Sequence, residues 1–306
     1  MSLLVRRSNL LVALGAAGNA GDTGAVANAW RHNADAITLD LTGNNFTRET
    51  VQAAITSAAK GGAEVFVRVN KASLQTDLDA AIGPGLCGIM LPCVESAAEV
   101  SQAGQLVAAL EKQRRLAAGS LQFILGIESA RGVWDIRPII KASPRVTQAA
   151  LDERALAADL GITPLPELDP FDYARGRLAV ETTAAKVAAV GMAYPLSVQP
   201  RELPEAELHE LATKAKNLGM KGVMCRHTSW GAPVNAAFTP TPELVEWNRR
   251  VREAFAKGVA TGTAAVPLDG KMIDVPVDEW AIVVMAMAEA CAQRDAQKQA
   301  ALASVS

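Results

Sequence analysis

The chain has 306 residues, a formal net charge of −2 at pH 7, and a composition that is 50% hydrophobic but only 4% aromatic. So balanced a charge excludes a protein built to hold polyanions, and no nucleic-acid partner is expected. No apolar run reaches the ~18 residues a spanning helix needs, and the N-terminus lacks a signal-peptide layout, so no membrane is expected either.

Length allows one large domain or two ordinary ones, and the Ala- and Val-rich composition fits an α/β enzyme with a sizeable core. His32, His209 and His227 share no metal-ligand spacing, which argues against zinc. Cys87, Cys93, Cys225 and Cys291 are scattered and read as free thiols of a cytoplasmic protein. Cys93 is set apart by its place at a strand end.

Strand-like and helix-like segments alternate along the chain, the pattern of a parallel α/β architecture. Residues 10–14 give a first strand. The Gly-rich stretch 15–24 matches neither the GxGxxG nor the Walker spacing, so a phosphate loop is not expected. A helix over 25–32 leads to a second strand, 36–41, with Asp40 near its end. A helix over 48–60 stops at Gly61-Gly62, and strand three, 64–70, carries Arg68 among β-branched residues. An arginine there is costly to bury without an anion. It either clamps a carboxylate at the strand ends or pairs with an acid on a neighbouring strand such as Asp40.

Strand four, 88–94, carries Cys93 near its end and stops at Glu95-Ser96, where a helix to about residue 115 starts. Strand five is the apolar run from Phe123 to Ile127, and it ends on a lone carboxylate, Glu128. Such a carboxylate sits where (β/α)8 barrels keep their chemistry; the alternative is that Glu128 caps the next helix or pairs with Arg131. Strand six, 146–151, ends at Asp152-Glu153. The turn-rich segment 161–170 reads as a loop over the barrel mouth. Then follow a helix over 171–189, strand seven at 191–198, a helix over 203–218, and strand eight at 222–227. Eight strands select a closed (β/α)8 TIM barrel over an open sheet. Residues 238–306 exceed what the barrel of 1–237 needs. They read as helices and a linker with no core of their own, a lid or an arm packed on a neighbouring subunit.

Several stretches taken together resemble one family. They include Ile37-Thr38-Leu39-Asp40-Leu41, Val67-Arg68-Val69-Asn70, Leu91-Pro92 with Val94-Glu95-Ser96, and Ile127-Glu128-Ser129-Ala130-Arg131-Gly132. Further along come Leu156-Ala157-Ala158-Asp159-Leu160-Gly161, Tyr173-Ala174-Arg175, Ala237-Phe238-Thr239-Pro240 and Leu268-Asp269-Gly270-Lys271-Met272-Ile273-Asp274. In this order they resemble the citrate lyase beta-subunit family, which includes malyl-CoA and citramalyl-CoA lyases. The resemblance implies a TIM barrel, a homo-oligomer (trimer or hexamer) and a small dicarboxylate or acyl-CoA substrate. It also implies carbon–carbon cleavage through an enolate stabilised by Mg²⁺. Carried over, Glu128 holds the metal, Arg68 holds the substrate carboxylate, and Asp274 is an acid supplied by the tail. Asp40, the acid kept in the strand-two motif, joins Asp274 as a catalytic candidate. The alternative for Asp274 is a helix N-cap.

The chain departs from the family pattern at the site. Thr42-Gly43 replaces two acids, Cys93 replaces a lysine, and Arg226-His227-Thr228 stands where Ile-His-Pro is usual. The metal-binding aspartate of strand six aligns with Ala155. Either Asp152 or Glu153 takes its place, with Asp152 the choice, or the protein is a degenerate member that binds a dicarboxylate or acyl-CoA without lyase activity. A purely scaffolding barrel is disfavoured by the retained buried charges.

Overall fold

The computed structural model describes residues 5–14, 26, 28–42, 46–163, 165, 168–192 and 202–305. The Gly-rich stretch 15–24 and most of the expected strand seven lie outside the described residues. The chain divides into two compact units, one built on Arg6–Phe238 and the other on Thr239–Gln299.

The first unit is a barrel of eight parallel strands: β1 (Ser8–Ala13), β2 (Ala36–Asp40), β3 (Glu64–Arg68), β4 (Leu86–Leu91), β5 (Gln122–Ile127), β6 (Val146–Leu151), β7 (Ala188–Val190) and β8 (Val223–Cys225). They pair in chain order from β1 to β7, and β8 pairs with β1. The ring closes through a parallel bridge between Val190 and Gly222, where the Gly191 N–H donates to the Gly222 carbonyl at 3.1 Å. Parallel neighbours need long crossovers, and helices supply them.

The strands are apolar on both faces because each face is covered. Ala36, Phe66, Met90, Ile124, Ala150 and Val190 form one buried cluster inside the ring. Their alternates, such as Ile37, Val65, Val67, Ile89, Phe123 and Leu125, belong to the larger core beneath the helices. Since alternation has period two, the charged residues that end β2 and β3 have a fixed facing, which their contacts identify below.

Three differences from the sequence expectation have physical causes. A strand lies at Ala188–Val190, ahead of the expected 191–198, and the preceding helix stops at Ala185. The stop residue is Lys186, held at φ 58°, so no glycine marks it. Short helices at Leu74–Ala81, Glu153–Asp159 and Gly231–Phe238 were not expected, being too brief to show a clear period. After the linker expected at 258–265 comes a hairpin that was not expected, β9 (Val266–Leu268) and β10 (Lys271–Ile273). Its turn is Asp269-Gly270, both at positive φ (47° and 76°), the pair that suits a tight hairpin turn.

The second unit also corrects the expectation that the tail lacks a core. Val251, Ile273 and Ala281 are buried together, with Trp247, Phe255, Val266, Leu268 and Val277 packed against them. The hairpin lies between two helices, Pro242–Ala260 and Val275–Val305. No helix among the described residues is long and apolar enough to cross a membrane.

Candidate active site

Charged side chains meet at the C-terminal end of the barrel, the end that carries the chemistry in this architecture. Arg68 is the last residue of β3. Its Nη1 donates to Asp40 Oδ2 at 3.2 Å and to Thr42 Oγ1 at 3.2 Å, and its Nη2 to Glu128 Oε1 at 3.3 Å and Oε2 at 3.4 Å. One guanidinium therefore ties the ends of β2, β3 and β5 together. Burial alone would lower the Arg68 pKa, but the Glu128 and Asp40 carboxylates outweigh it and raise the pKa instead. Asp40 is fixed in turn, since its Oδ1 accepts from the Thr42 hydroxyl at 2.6 Å and the Thr42 N–H at 2.9 Å.

Glu128 is the first residue after β5 and is only 8% exposed. Neither structural alternative for it applies. The following helix, Ala130–Trp134, is capped by Ser129, whose Oγ accepts from the Gly132 N–H at 3.1 Å, and Arg131 pairs with Asp135. The Ser129 hydroxyl donates to Glu95 at 2.7 Å and so is held from both sides. Gly126 makes room for the carboxylate: a Cβ there would fall 2.4 Å from Glu128 Oε1.

Asp152 is the first residue after β6, on the strand neighbouring β5. Its Oδ1 accepts the N–H groups of Arg154 and Ala155, capping the helix Glu153–Asp159, and its Oδ2 pairs with Arg226. Glu153 does not line the cavity that Asp152 lines. Glu153 is buried and makes a fork with Arg175, at 2.5 Å (Nε to Oε1) and 2.9 Å (Nη2 to Oε2), away from the mouth.

Asp40, Arg68, Glu128, Asp152 and Arg226 line one cavity of about 190 Å³, whose remaining wall is apolar and includes Leu11, Met90, Met192, Met224 and Trp230. The sequence reading named four of these five charged residues. It missed Arg226 as a site residue, although the signal was the one that marks Arg68 and Glu128: a charge closing an apolar strand. Trp230, 1% exposed at the cavity wall, carried no periodic signal.

Two further residues have contacts of their own. Cys93 does not line the cavity; it sits at φ 49°, and burial, then the Glu128 charge, pushes its thiol pKa up, which keeps it protonated and a poor nucleophile. Asp274 belongs to the Thr239–Gln299 unit. There its Oδ1 accepts the Val277 N–H at 3.3 Å and its carbonyl the Asp278 N–H at 3.0 Å, the capping arrangement at the start of Val275–Val305.

Carboxylate oxygens are the donors a hard divalent cation prefers, and Mg²⁺ commonly takes only one or two from protein. Glu128 and Asp152 follow adjacent strands and line the same cavity, so they fit such an ion in donor type. Among the described residues no three His, Cys, Asp or Glu side chains form a group that could hold a metal. The pair is a partial shell, and an arginine already holds each of its members.

A barrel with acids and arginines gathered at its strand ends defines a class of enzyme-like site, and comparison with known proteins narrows it. Residues 20–228 match the model of the HpcH/HpaI aldolase/citrate lyase family. The chain belongs to that family. It is 28% identical over 229 residues to the citrate lyase subunit beta of Haemophilus influenzae, covering 74% of this chain and 77% of that one. It is 26% identical over 243 residues to the mitochondrial citramalyl-CoA lyase of Rattus norvegicus, covering 74% and 70%. Among solved structures, the fold resembles that of CitE from Mycobacterium tuberculosis in complex with magnesium, acetoacetate and coenzyme A. The TM-score is 0.64 at 22% identity, with 93% of this chain and 98% of that one covered.

Proposed function

We propose that the protein is a carbon–carbon lyase that cleaves a hydroxy acid, or its acyl thioester, at the β-strand-end cavity. The observation that carries this reading is the meeting of Arg68, Glu128, Asp40 and Asp152 in one cavity, within a family of lyases and aldolases. In the reaction the substrate hydroxyl loses its proton, the adjacent carbon–carbon bond opens to a keto acid, and the electron pair left on the acyl fragment takes up a proton. Arg68 would hold the substrate carboxylate through Nη2, the nitrogen that now donates to Glu128, with Asp40 and Thr42 keeping the guanidinium aimed through Nη1. Glu128 and Asp152 would hold Mg²⁺, and the chemistry a bound ion supplies is stabilisation of the charge that develops as the bond breaks. Asp274 is assigned the proton transfer on the strength of the family resemblance, and a homo-oligomer is part of the same reading. The exposed Trp280, Ile282 and Val283 on the last helix suit a subunit contact.

Metal affinity without substrate is expected to be weak, because an incoming ion competes with Arg68 and Arg226 for its carboxylates. Calorimetric titration with Mg²⁺ should show little heat alone and clear binding once a keto acid such as oxaloacetate is present. Asp152→Ala should abolish that binding. Glu153→Gln, which keeps a hydrogen bond to Arg175, should leave it intact. Tight binding that survives Asp152→Ala removes Asp152 from the ligand set.

For Asp274 the informative variant is Asp274→Asn, which retains most of the cap but cannot exchange the proton. Turnover should fall by about 10²-fold or more with an unchanged melting temperature. Equal turnover leaves Asp274 with the capping role alone.

A second reading has its own observation. Asp152 is held by Arg226, and the motif resemblance sets Ala155 where the family has its metal-binding aspartate. On that basis the cavity would bind a dicarboxylate or acyl-CoA without cleaving it, and Mg²⁺ would produce no heat with or without the keto acid.

A further inference from the structure

The apolar lining of the cavity is gathered on one side of the barrel. Leu11 lies on β1, Met224 on β8, Met192 just beyond β7, and Trp230 in the turn that follows β8. β7, β8 and β1 are consecutive around the ring. In a ring of eight strands they stand opposite β3, β4 and β5, the arc that carries Arg68 and Glu128. Met90 and Ala150 belong to the cluster inside the ring and form the floor. Among the described lining residues the only charge on the apolar arc is Arg226, and Asp152 pairs with it.

A 2-keto acid, the fragment that the proposed cleavage releases, carries its carboxylate and its keto oxygen on adjacent carbons. With the carboxylate on Arg68 and the oxygen toward Glu128 and Asp152, both polar groups lie away from the apolar arc. The third substituent of the trigonal keto carbon shares their plane and leaves on the other side, toward Leu11, Met192, Met224 and Trp230. The carbon–carbon bond that breaks stands out of this plane, so the thioester fragment does not compete for the same space. An anionic or hydroxylated substituent would be dehydrated there against thioether and hydrocarbon groups, whereas an alkyl one gains by burial. Methionine is unbranched and adaptable, so a wall with two of them can accept added methylenes. At about 190 Å³ the cavity is below the ~300 Å³ at which drug-sized ligands begin, which limits the group to a short chain. We infer that the β7–β8–β1 wall is a specificity site that selects an ethyl or propyl side chain on the keto-acid half of the substrate. This deepens the lyase reading of the cavity and rests on it.

The test is equilibrium binding of pyruvate, 2-oxobutyrate and 2-oxovalerate, which differ only by methylenes, measured by calorimetry in the presence of Mg²⁺. The wild-type protein should bind 2-oxobutyrate about three- to fourfold more tightly than pyruvate, the factor that ~0.8 kcal/mol for a buried methylene supplies, and 2-oxovalerate at least as tightly as 2-oxobutyrate. Met224→Gln keeps an unbranched side chain of similar length but makes it polar. It should reduce the preference for 2-oxobutyrate to below about twofold and leave pyruvate within about twofold of wild type. Equal weakening of both acids overturns the assignment. So does a wild-type preference at or below one, a measurement that needs no variant to fold, and so does a lack of binding by all three acids. Neither arm requires turnover. A chain-length preference in a protein that cleaves no thioester would retain this inference and remove the lyase reading. Cleavage by a protein without the preference would do the opposite.

Discussion

Replacing Glu128 by glutamine should lower turnover of a malyl- or citramalyl-type thioester by about 10²- to 10³-fold, with the melting temperature moved by no more than about 2 °C. The size follows from removing a charge that contributes several kcal/mol when it anchors a cation at the reacting oxygen, at 1.36 kcal/mol for each factor of ten. The small stability change follows from the contacts. Glutamine keeps the shape that Gly126 accommodates, and Arg68 retains Asp40 and Thr42 after losing a full charge at 3.3 Å. Steady-state kinetics beside a thermal melt read both quantities. If turnover survives, Glu128 is only a brace for Arg68.

The largest expected effect on stability lies away from the cavity. Arg175 and Glu153 are 3% and 2% exposed and make two parallel hydrogen bonds, while Arg175 Nη1 also reaches Asp169 at 2.5 Å. Arg175→Leu removes the cation from a buried pair with Glu153, a change that typically costs about 3–5 kcal/mol. In a unit of this size that corresponds to a fall in Tm of about 6–20 °C. Adding Glu153→Leu should recover much of the loss, because replacing both partners of a buried pair by apolar groups is often close to neutral. A Tm for the single variant within about 2 °C of wild type would show that the pair is hydrated rather than buried. The same contacts explain why Glu153, adjacent to a cavity residue in sequence, has no part in the cavity.

Much of the barrel was legible because its strands are continuous apolar runs and Ala36–Asp40, Gln122–Ile127 and Val146–Leu151 each end on or next to a charge. Parallel strands buried on both faces show little else, and a charge that interrupts the run marks the C-terminal end. That rule located Asp40, Arg68, Glu128 and Asp152. It would also have located Arg226, had the residue not been read only as a departure from a family motif. The rule fails where the element is short. Ala188–Val190 follows a helix that ends on Lys186 in the left-handed region, so its start carries no glycine and its alanines read as helix. The hairpin at Val266–Ile273 did carry its signal, Asp269-Gly270, but its strands are only three residues long and one contains Pro267, so neither shows a strand pattern. The pairing choices inside the cavity could not be read from spacing. Whether Arg68 served a ligand or Asp40 was posed as a choice of one. The folded chain gives Arg68 both Asp40 and Glu128, because β2, β3 and β5 bring three side chains from distant sequence positions to one point.

The most direct test is to incubate the wild-type protein and Mg²⁺ with malyl-CoA and with citramalyl-CoA, and to follow keto-acid release together with the appearance of the shorter acyl-CoA. Equimolar release of the two products from at least one substrate, lost in Arg68→Ala and Glu128→Gln, is the expected result. Folded protein that binds these thioesters at the cavity and releases no keto acid from either would contradict a lyase and leave a binding protein on a lyase fold.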